Sequence, residues 1–257
     1  MKLKRFFLPA EADVRLDDFD RLTLGEDLYN HIIKSMRMRE GERLLLLDGR
    51  GFKGEASIEN VDRDGSRVEV NIISVEEAGG EPESRVYLAQ ALAKKNKMET
   101  VWQKATEIGA AGFYPFTCRH TVVSLNDKKE KKRLNRWRRI IREAARQSER
   151  GLRPELNSLQ EFPEIVEICG QFDLVLLARA RQAGCSIRSL SERNVLEKAS
   201  RILITVGPEG GFSDEEIAEL LENDNCYDIS MGPRILRTET AGPLLTGFIL
   251  HELGEME

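Results

Sequence analysis

The chain contains few of the residues that build metal sites or disulfide networks. Its 257 residues include four cysteines and three histidines. The cysteines form no CxxC pair and the histidines form no HExxH motif. We therefore expect no metal site and interpret the cysteines as reduced thiols in the core. They are Cys118, Cys169, Cys185 and Cys226.

Long hydrophobic runs are also absent. The longest, Leu44 to Leu47 and Leu174 to Ala178, are far shorter than the roughly 18 apolar residues that a membrane-spanning helix needs. Met1 to Ala10 lacks the uninterrupted apolar core of a signal peptide. With 40% hydrophobic and 32% charged residues, the composition excludes wholesale disorder. These features predict a soluble cytoplasmic protein of one or two domains without a membrane partner.

Charge is distributed unevenly along the chain. The formal net charge is −5, yet the segment from Lys128 to Arg153 holds twelve basic residues against three glutamates. Leu134, Trp137 and Ile141 recur there at helical spacing, which predicts an amphipathic helix with a basic outer face. Such a face is typical either of a solvated surface or of a surface that binds nucleic acid.

The chain divides into two parts of different composition. Residues 1–77 are β-rich, with predicted strands at Arg43 to Asp48, Gly54 to Val61 and Arg67 to Val75, and this pattern predicts a small barrel or sandwich. A linker without periodicity follows at residues 78–84. From residue 85 onward strands alternate with helices, which predicts an α/β domain whose mostly parallel sheet is covered on both faces. The strands are predicted at Val86 to Leu92, Phe113 to Phe116, Leu174 to Leu177, Ile202 to Val206 and Tyr227 to Ser230.

One helix of this second part has clear sequence boundaries. Apolar residues predict a helix over Lys97 to Ile108. Asn96 together with Glu99 can cap its start, and Gly109 can end it.

A glycine-rich turn after a predicted buried strand is the most informative motif. Gly207 to Gly211 follows the strand Ile202 to Val206, and Ser213 with Glu216 forms a capping box that starts the next helix. The turn matches neither GxxxxGK[ST] nor GxGxxG, so it is not a triphosphate cradle or a dinucleotide fingerprint. A nucleotide hydrolase would need the lysine of the GxxxxGK[ST] motif, and this turn has no lysine. The turn is either a cofactor loop or an ordinary tight connection.

A second polar segment follows another predicted strand. Met231 to Ala241 carries two arginines and two threonines. Ligands of open α/β sheets bind at the carboxyl ends of the strands, so this segment and the glycine-rich turn are predicted to share one site. The alternative is a solvated turn in which Arg237 pairs with Glu239.

Both motifs resemble a known family. GPEGGFSDEE and MGPRILRTETA are similar to signatures of the ribosomal RNA small subunit methyltransferases that make N3-methyluridine. The resemblance extends to QALAKKNKMETVWQKATEIG, to EAARQSER, to Arg5-Phe6-Phe7 and to Leu46-Leu47-Asp48-Gly49, so it covers essentially the whole chain.

The resemblance implies a fold, a cofactor and partners. The expected fold is a PUA-like RNA-binding β-barrel over residues 1–77 and a SPOUT-type α/β methyltransferase domain over 85–257 with a C-terminal trefoil knot. The expected cofactor is S-adenosylmethionine, and the partners are 16S ribosomal RNA of the small subunit and a second copy in a homodimer. The implied cofactor-binding residues are Leu177, Ala178, Gly207, Pro208, Glu209, Gly210, Gly211, Met231, Gly232, Ile235, Leu236 and Thr240. The chain departs from the family at Ala241-Gly242-Pro243, and we expect the last helix to start near Pro243.

Methylation of uridine N3 also suggests catalytic roles. Arg234 or Arg237 is expected to stabilise the anion left when the N3 proton departs. Glu239 accepts that proton, orients an arginine, or is simply a carboxylate at a helix N-terminus. RNA contacts are predicted at Arg5, Lys94, Lys97, Lys132, Arg136 and Arg139. The competing hypothesis is a non-catalytic RNA-binding factor for ribosome assembly, although a pure binder gains nothing from two polar loops at neighbouring strand ends.

Overall fold

The computed structural model describes residues 3–9, 15–123, 126–179 and 184–256. The chain folds into two compact units. The first comprises Met1–Glu81 and Ala145–Arg153, and the second comprises Pro82–Ala144 and Pro154–Glu257. The ranges expected from sequence, 1–77 and 85–257, are each continuous, whereas the first unit takes a segment from a later part of the chain.

A five-stranded sheet forms the first unit. Its strands run in the order β1-β3-β4-β5-β2, antiparallel except for the parallel pair β1 and β3. Alternate residues such as Leu44, Leu46, Val68 and Val70 fill its core, as the period-two pattern predicted. The strands are β1 Lys4–Phe7, β2 Arg21–Leu24, β3 Arg43–Leu47, β4 Phe52–Asp62 and β5 Arg67–Glu77, with helix α1 at Glu26–Tyr29 and a π-helical turn at Asn30–Ser35.

A buried ion pair ties the later segment into the first unit. Arg150 Nη2 donates to Glu81 Oε2 at 2.7 Å, and the Leu152 amide donates to Glu81 Oε1 at 2.9 Å. The side chains of Arg150 and Glu81 are only 6% and 14% exposed. Arg150 belongs to the basic segment by sequence, but its guanidinium is engaged inside the unit and is not part of a basic outer face.

The second unit is built on a parallel sheet. The strand order is β12-β10-β11-β6-β7-β8, β9 also pairs with β7, and every pairing is parallel. The strands are β6 Arg85–Ala91, β7 Gly112–Thr117, β8 Glu155–Leu156, β9 Gln160–Glu161, β10 Leu174–Arg179, β11 Arg201–Val206 and β12 Cys226–Ser230. The helices are α2 Lys97–Ile108, α3 Asp127–Gln147, α4 Phe162–Cys169, α5 Ile187–Glu192, α6 Asp214–Leu221 and α7 Thr238–Glu252.

Helices cover both faces of this sheet, as predicted. On one face α2, α3, α5 and α7 bury side chains such as Trp102, Trp137 and Leu245 against the strands. On the other face α4 and α6 bury Phe162 and Leu220. Residues 128–147 of the basic segment lie in α3, whose apolar face is buried and whose lysines are exposed.

One predicted helix start and one predicted helix cap are wrong. Helix α7 begins at Thr238 rather than near Pro243, which lies inside the helix. The Thr238 hydroxyl donates to the Gly207 carbonyl at 2.7 Å, and a Cβ at Gly242 would lie 2.8 Å from Leu88 Cδ2, so tertiary contacts hold the helix against the sheet in spite of the proline. At α2 the Asn96 side chain makes no capping bond.

Glu99, the other half of the predicted cap of α2, is engaged elsewhere. Its carboxylate accepts a hydrogen bond from Arg136 of α3 at 2.8 Å. The predicted end of α2 is confirmed, because Gly109 has a φ of +127°, a conformation that glycine adopts readily.

Candidate active site

The loops after three strands of the second unit meet at one cavity. Strand β10 lies between β11 and β12, so the carboxyl ends of these parallel strands are neighbours. The cavity has a volume of about 710 Å³. Its lining residues are Lys97, Ala178, Arg179, Val206, Gly207, Pro208, Glu209, Gly210, Gly211, Phe212, Asp214, Ile217, Met231, Gly232, Arg234, Ile235, Leu236, Arg237, Thr238 and Ala241.

The glycine-rich turn, residues 207–211, forms one wall and is tightly folded. The Gly211 amide donates to the Pro208 carbonyl at 2.9 Å, and Gly211 has a φ of +71°. A Cβ at Gly207 would lie 3.2 Å from the Gly211 carbonyl carbon, so a side chain there would crowd the turn. Ser213 and Glu216 form the predicted capping box at the start of α6.

Residues that follow β7 support this turn from outside. His120 Nδ1 lies 3.1 Å from the Gly211 carbonyl oxygen, and a Cβ at Gly210 would lie 3.0 Å from His120 Cβ. The Arg119 amide donates to Glu216 Oε1 at 2.7 Å. The conformation of the turn therefore depends on a segment almost a hundred residues earlier in the chain.

A buried polar network joins the turn to α7. The Thr238 hydroxyl donates to the Gly207 carbonyl at 2.7 Å and accepts from Gln90 Nε2 at 2.9 Å. Gln90 is fully buried at the end of β6, and Thr238 is 8% exposed. These short bonds, shielded from water, fix the first residue of the turn relative to the first residue of α7.

A row of alternating charges runs along another wall. Lys97 Nζ lies 3.1 Å from Glu209 Oε1 and 3.2 Å from Glu239 Oε2. Arg237 Nη1 lies 3.7 Å from Glu239 Oε1. Lys97, Glu209 and Arg237 line the cavity, whereas Glu239 lies behind them, 18% exposed.

The two carboxylates determine the protonation state of Lys97. Partial burial favours the neutral amine, but the hydrogen bonds to Glu209 and Glu239 outweigh burial, so the pKa of Lys97 is raised. Burial likewise disfavours the charged form of Glu209, yet hydrogen bonds from its own amide, the Lys94 amide and Lys97 lower the pKa of this carboxyl group. Both groups are therefore ionised at neutral pH.

The arginine-bearing loop, residues 231–237, contributes another part of the cavity lining. Arg234 and Arg237 are both exposed and both line the cavity, and the side chain of Arg237 is 80% exposed. The contact between Arg237 and Glu239 that the alternative interpretation proposed is present, but at 3.7 Å it is long. Inside the cavity, Arg179 is held by Asp228 at 2.9 Å.

The cavity brings together most of the residues expected to bind a cofactor, with two exceptions. Leu177 is fully buried in the core beneath α4 and α6, because adjacent residues of a strand face opposite sides and Ala178 takes the cavity side. Thr240 is exposed on α7 and does not line the cavity. Arg179 and Thr238 line the cavity without having been predicted, although both directly adjoin predicted site residues.

The residues expected to contact RNA differ in their surroundings. Lys94, Lys132 and Arg139 have exposed side chains. Arg136 is exposed and paired with Glu99. In the first unit Arg5 pairs with Glu149 at 3.1 Å, and in the second Lys97 is occupied by its two carboxylates.

Two cysteine thiols have strongly raised pKa values. Burial raises the pKa of Cys169 to about 11 and that of Cys226 to about 12, so neither is a thiolate at neutral pH. The described residues contain no group of three or more histidine, cysteine, aspartate or glutamate side chains placed to hold a metal ion. Within the same ranges, no helix is long and apolar enough to cross a membrane.

Comparison with known proteins identifies both parts of the chain. A family model described as an RNA methyltransferase domain matches residues 80–250, and a model described as an RNA methyltransferase PUA domain matches residues 24–71. Ribosomal RNA small subunit methyltransferase E of Bacillus subtilis is 37% identical over 93% of this chain and 93% of its own length. The protein of the same name from Mycobacterium bovis is 30% identical over 85% of this chain and 82% of its own.

Solved structures are similar over nearly the whole chain. A Legionella pneumophila methyltransferase in complex with the cofactor SAM has a TM-score of 0.85 at 30% identity and covers 98% of each chain. A ribosomal RNA small subunit methyltransferase E from Neisseria gonorrhoeae bound to S-adenosyl methionine has a TM-score of 0.84 at 25% identity, with 97% of this chain and 98% of that one covered. Because the similarity extends across both units and through both cavity loops, the chain belongs to the ribosomal RNA small subunit methyltransferase E family.

Proposed function

We propose that this protein uses S-adenosylmethionine to methylate N3 of a uridine in the decoding region of 16S ribosomal RNA in the small subunit. The observation that carries the proposal is the meeting of the glycine-rich turn and the arginine-bearing loop at one cavity. We take ribosomal RNA of the small subunit as the methyl acceptor because the relatives are named for methylating it. The N3 position rests on the resemblance of the two loop motifs.

The cavity suits a cofactor of this size and chemistry. Its volume of about 710 Å³ lies within the roughly 300–1,000 Å³ typical of small-molecule sites. At Gly211 no atom lies within 4 Å of the place where a Cβ would stand, so a ligand can reach the backbone there. Residues of the glycine-rich turn and of the arginine-bearing loop would hold S-adenosylmethionine, which supplies a methyl group on a sulfonium centre.

The exposed arginines provide the charge that the acceptor base needs. Uridine N3 carries a proton at neutral pH, and a guanidinium near O2 or O4 stabilises the anion formed as that proton leaves. Arg237 and Arg234 both line the cavity, and arginine remains protonated, so neither acts as the base. Glu239 lies behind the lining next to Lys97 and Arg237. This position favours its role as an orienting group over that of proton acceptor.

Recognition of the RNA is assigned to two surfaces. The exposed lysines and arginines of α3, including Lys132 and Arg139, supply sequence-independent contacts with phosphates. The first unit, which matches the PUA model, supplies further docking.

The proposal also includes the fold class, the oligomeric state and the cellular location of the protein. We assign the second unit to the SPOUT class with a C-terminal trefoil knot. We also propose that the protein forms homodimers in the cytoplasm. The apolar side chain of Phe248 on α7 is 45% exposed, which supports a dimer contact on that helix. The knot rests on the resemblance of the loop motifs.

Two measurements test this function. Calorimetric titration with S-adenosylmethionine should give one site per chain, and small subunits lacking the modification should acquire one methyl group in the decoding region. A methyl group at N3 blocks base pairing, so reverse transcription should stop at that uridine. RNA binding without cofactor binding would instead favour the non-catalytic assembly factor, and methylation without a stop would exclude N3.

A further inference from the structure

A row of four charged side chains connects the glycine-rich turn with Arg237. In order, these are Glu209, Lys97, Glu239 and Arg237. Lys97 is the first residue of α2, Glu209 belongs to the glycine-rich turn, and Glu239 lies in the first turn of α7. The geometry points to Lys97 as a positioning residue that holds the guanidinium of Arg237 at the cavity through Glu239. This inference rests on the proposed function, because it assigns Arg237 to the acceptor base.

The two carboxylates that contact Lys97 depend on it to different degrees. Glu209 Oε1 also accepts the Lys94 amide at 3.0 Å, so the glycine-rich turn keeps an anchor if Lys97 is removed. Among the described residues, the other cation within 4.0 Å of Glu239 is Arg237. Loss of Lys97 therefore mainly affects Glu239.

Removal of Lys97 should change where Arg237 lies. With the lysine present, Glu239 Oε2 forms an ion pair with Lys97 Nζ at 3.2 Å, and Oε1 makes only a long 3.7 Å contact with Arg237 Nη1. Without Lys97, Arg237 is the one remaining cation among the described residues that can neutralise the partly buried carboxylate of Glu239. The flexible and 80% exposed arginine is then drawn into a close pair with Glu239 and away from the acceptor base.

The raised pKa of Lys97 is consistent with this role, because the group remains a cation when substrate is absent. A lysine that merely carried charge for RNA binding would have no need of two carboxylate partners. Lys104, on the same helix, provides the comparison: it pairs with Glu107 at 2.7 Å, is 50% exposed and does not line the cavity.

A double-mutant cycle on kcat tests the inference. Lys97→Met and Arg237→Ala should each lower kcat by roughly 100-fold, the size typical of a lost transition-state charge. If Lys97 acts through Arg237, the double variant should be no slower than the worse single variant. Independent roles predict a loss of about 10,000-fold, and that result would overturn the inference.

Further variants control for folding and for charge. Lys104→Met should leave kcat unchanged. Lys97→Arg should recover most of the rate, because a guanidinium can hold both carboxylates. If Lys97→Met does not fold, Glu239→Gln interrupts the same row of charges, and its effect should vanish in the Arg237→Ala background. A full effect of Glu239→Gln in that background would reject the inference.

The same experiments separate this inference from the proposed function. If the wild-type protein neither binds S-adenosylmethionine nor methylates small subunits, the proposed function fails. If it does both but the losses at Lys97 and Arg237 multiply, the function stands and only the positioning role is wrong.

Discussion

Replacement of Thr238 by valine should show how strongly the cofactor site depends on one buried hydroxyl group. Valine has nearly the shape of threonine but no hydroxyl. The change removes the 2.7 Å bond to the Gly207 carbonyl and the 2.9 Å bond from Gln90 Nε2. Gln90 Nε2 still has the Ala91 carbonyl at 3.1 Å, so the principal loss is at the Gly207 carbonyl, in a residue that is itself buried. This carbonyl keeps only a long 3.5 Å contact from Gln90 Nε2.

The magnitude follows from the loss of the short bond to that buried carbonyl. A buried polar group left without a partner costs about 1–3 kcal/mol, so we expect a loss of about 2 kcal/mol in the free energy of unfolding. Gly207 begins the glycine-rich turn, and the affinity for S-adenosylmethionine should therefore also fall, by about tenfold for each 1.4 kcal/mol transmitted to the site.

Thr246→Val in the same helix is the matched control. Its hydroxyl is fully buried and donates to the Gly242 carbonyl at 2.9 Å. That carbonyl is also the normal helical acceptor, so the loss there should stay below about 1 kcal/mol, with cofactor affinity unchanged. Thr238→Ser, which keeps the hydroxyl group, should retain most of the affinity.

Urea unfolding followed by tryptophan fluorescence measures the stability of the second unit selectively, because the protein has two tryptophans and both lie in that core. Calorimetry measures cofactor affinity. If Thr238→Val matches Thr246→Val in both measurements, the proposed role of the hydroxyl network is wrong.

Three further predictions concern the two cavity loops and the basic helix. Gly210→Val should weaken cofactor binding at least about tenfold without unfolding the protein, because its Cβ would lie 3.0 Å from His120 Cβ; unchanged affinity in calorimetry would place the cofactor elsewhere. Arg237→Lys should lower kcat about 100-fold at unchanged melting temperature, since an exposed pair contributes little stability; a normal kcat would transfer the role to Arg234. Replacing three basic residues of α3 by glutamine should reduce the salt dependence of RNA binding by about 0.7–0.9 in slope per lost phosphate contact but leave cofactor affinity unchanged. An unaltered slope would identify α3 as a solvated surface. These residues are Lys132, Arg136 and Arg139.

Local sequence patterns were sufficient to predict the main strands and long helices of the second unit and the location of the candidate site, but not the short elements β1, β2, α4 and α5. The apolar spacing from Lys97 to Ile108 is a property of one helix face, and the capping box at Ser213 joins residues only three apart, so both were predictable. Parallel strands place their carboxyl ends on one edge, which is why two motifs that follow different strands were expected to share a crevice.

Only the tertiary structure decided which partners these residues meet. Lys97 was expected at the RNA, but strand order brings Glu209 and Glu239 to its ammonium group. Arg150 looked like one more basic residue until folding buried it against Glu81, 69 residues earlier. Such pairings depend on how distant segments pack, and nothing in the local periodicity or charge of a segment encodes the identity of its neighbour in space.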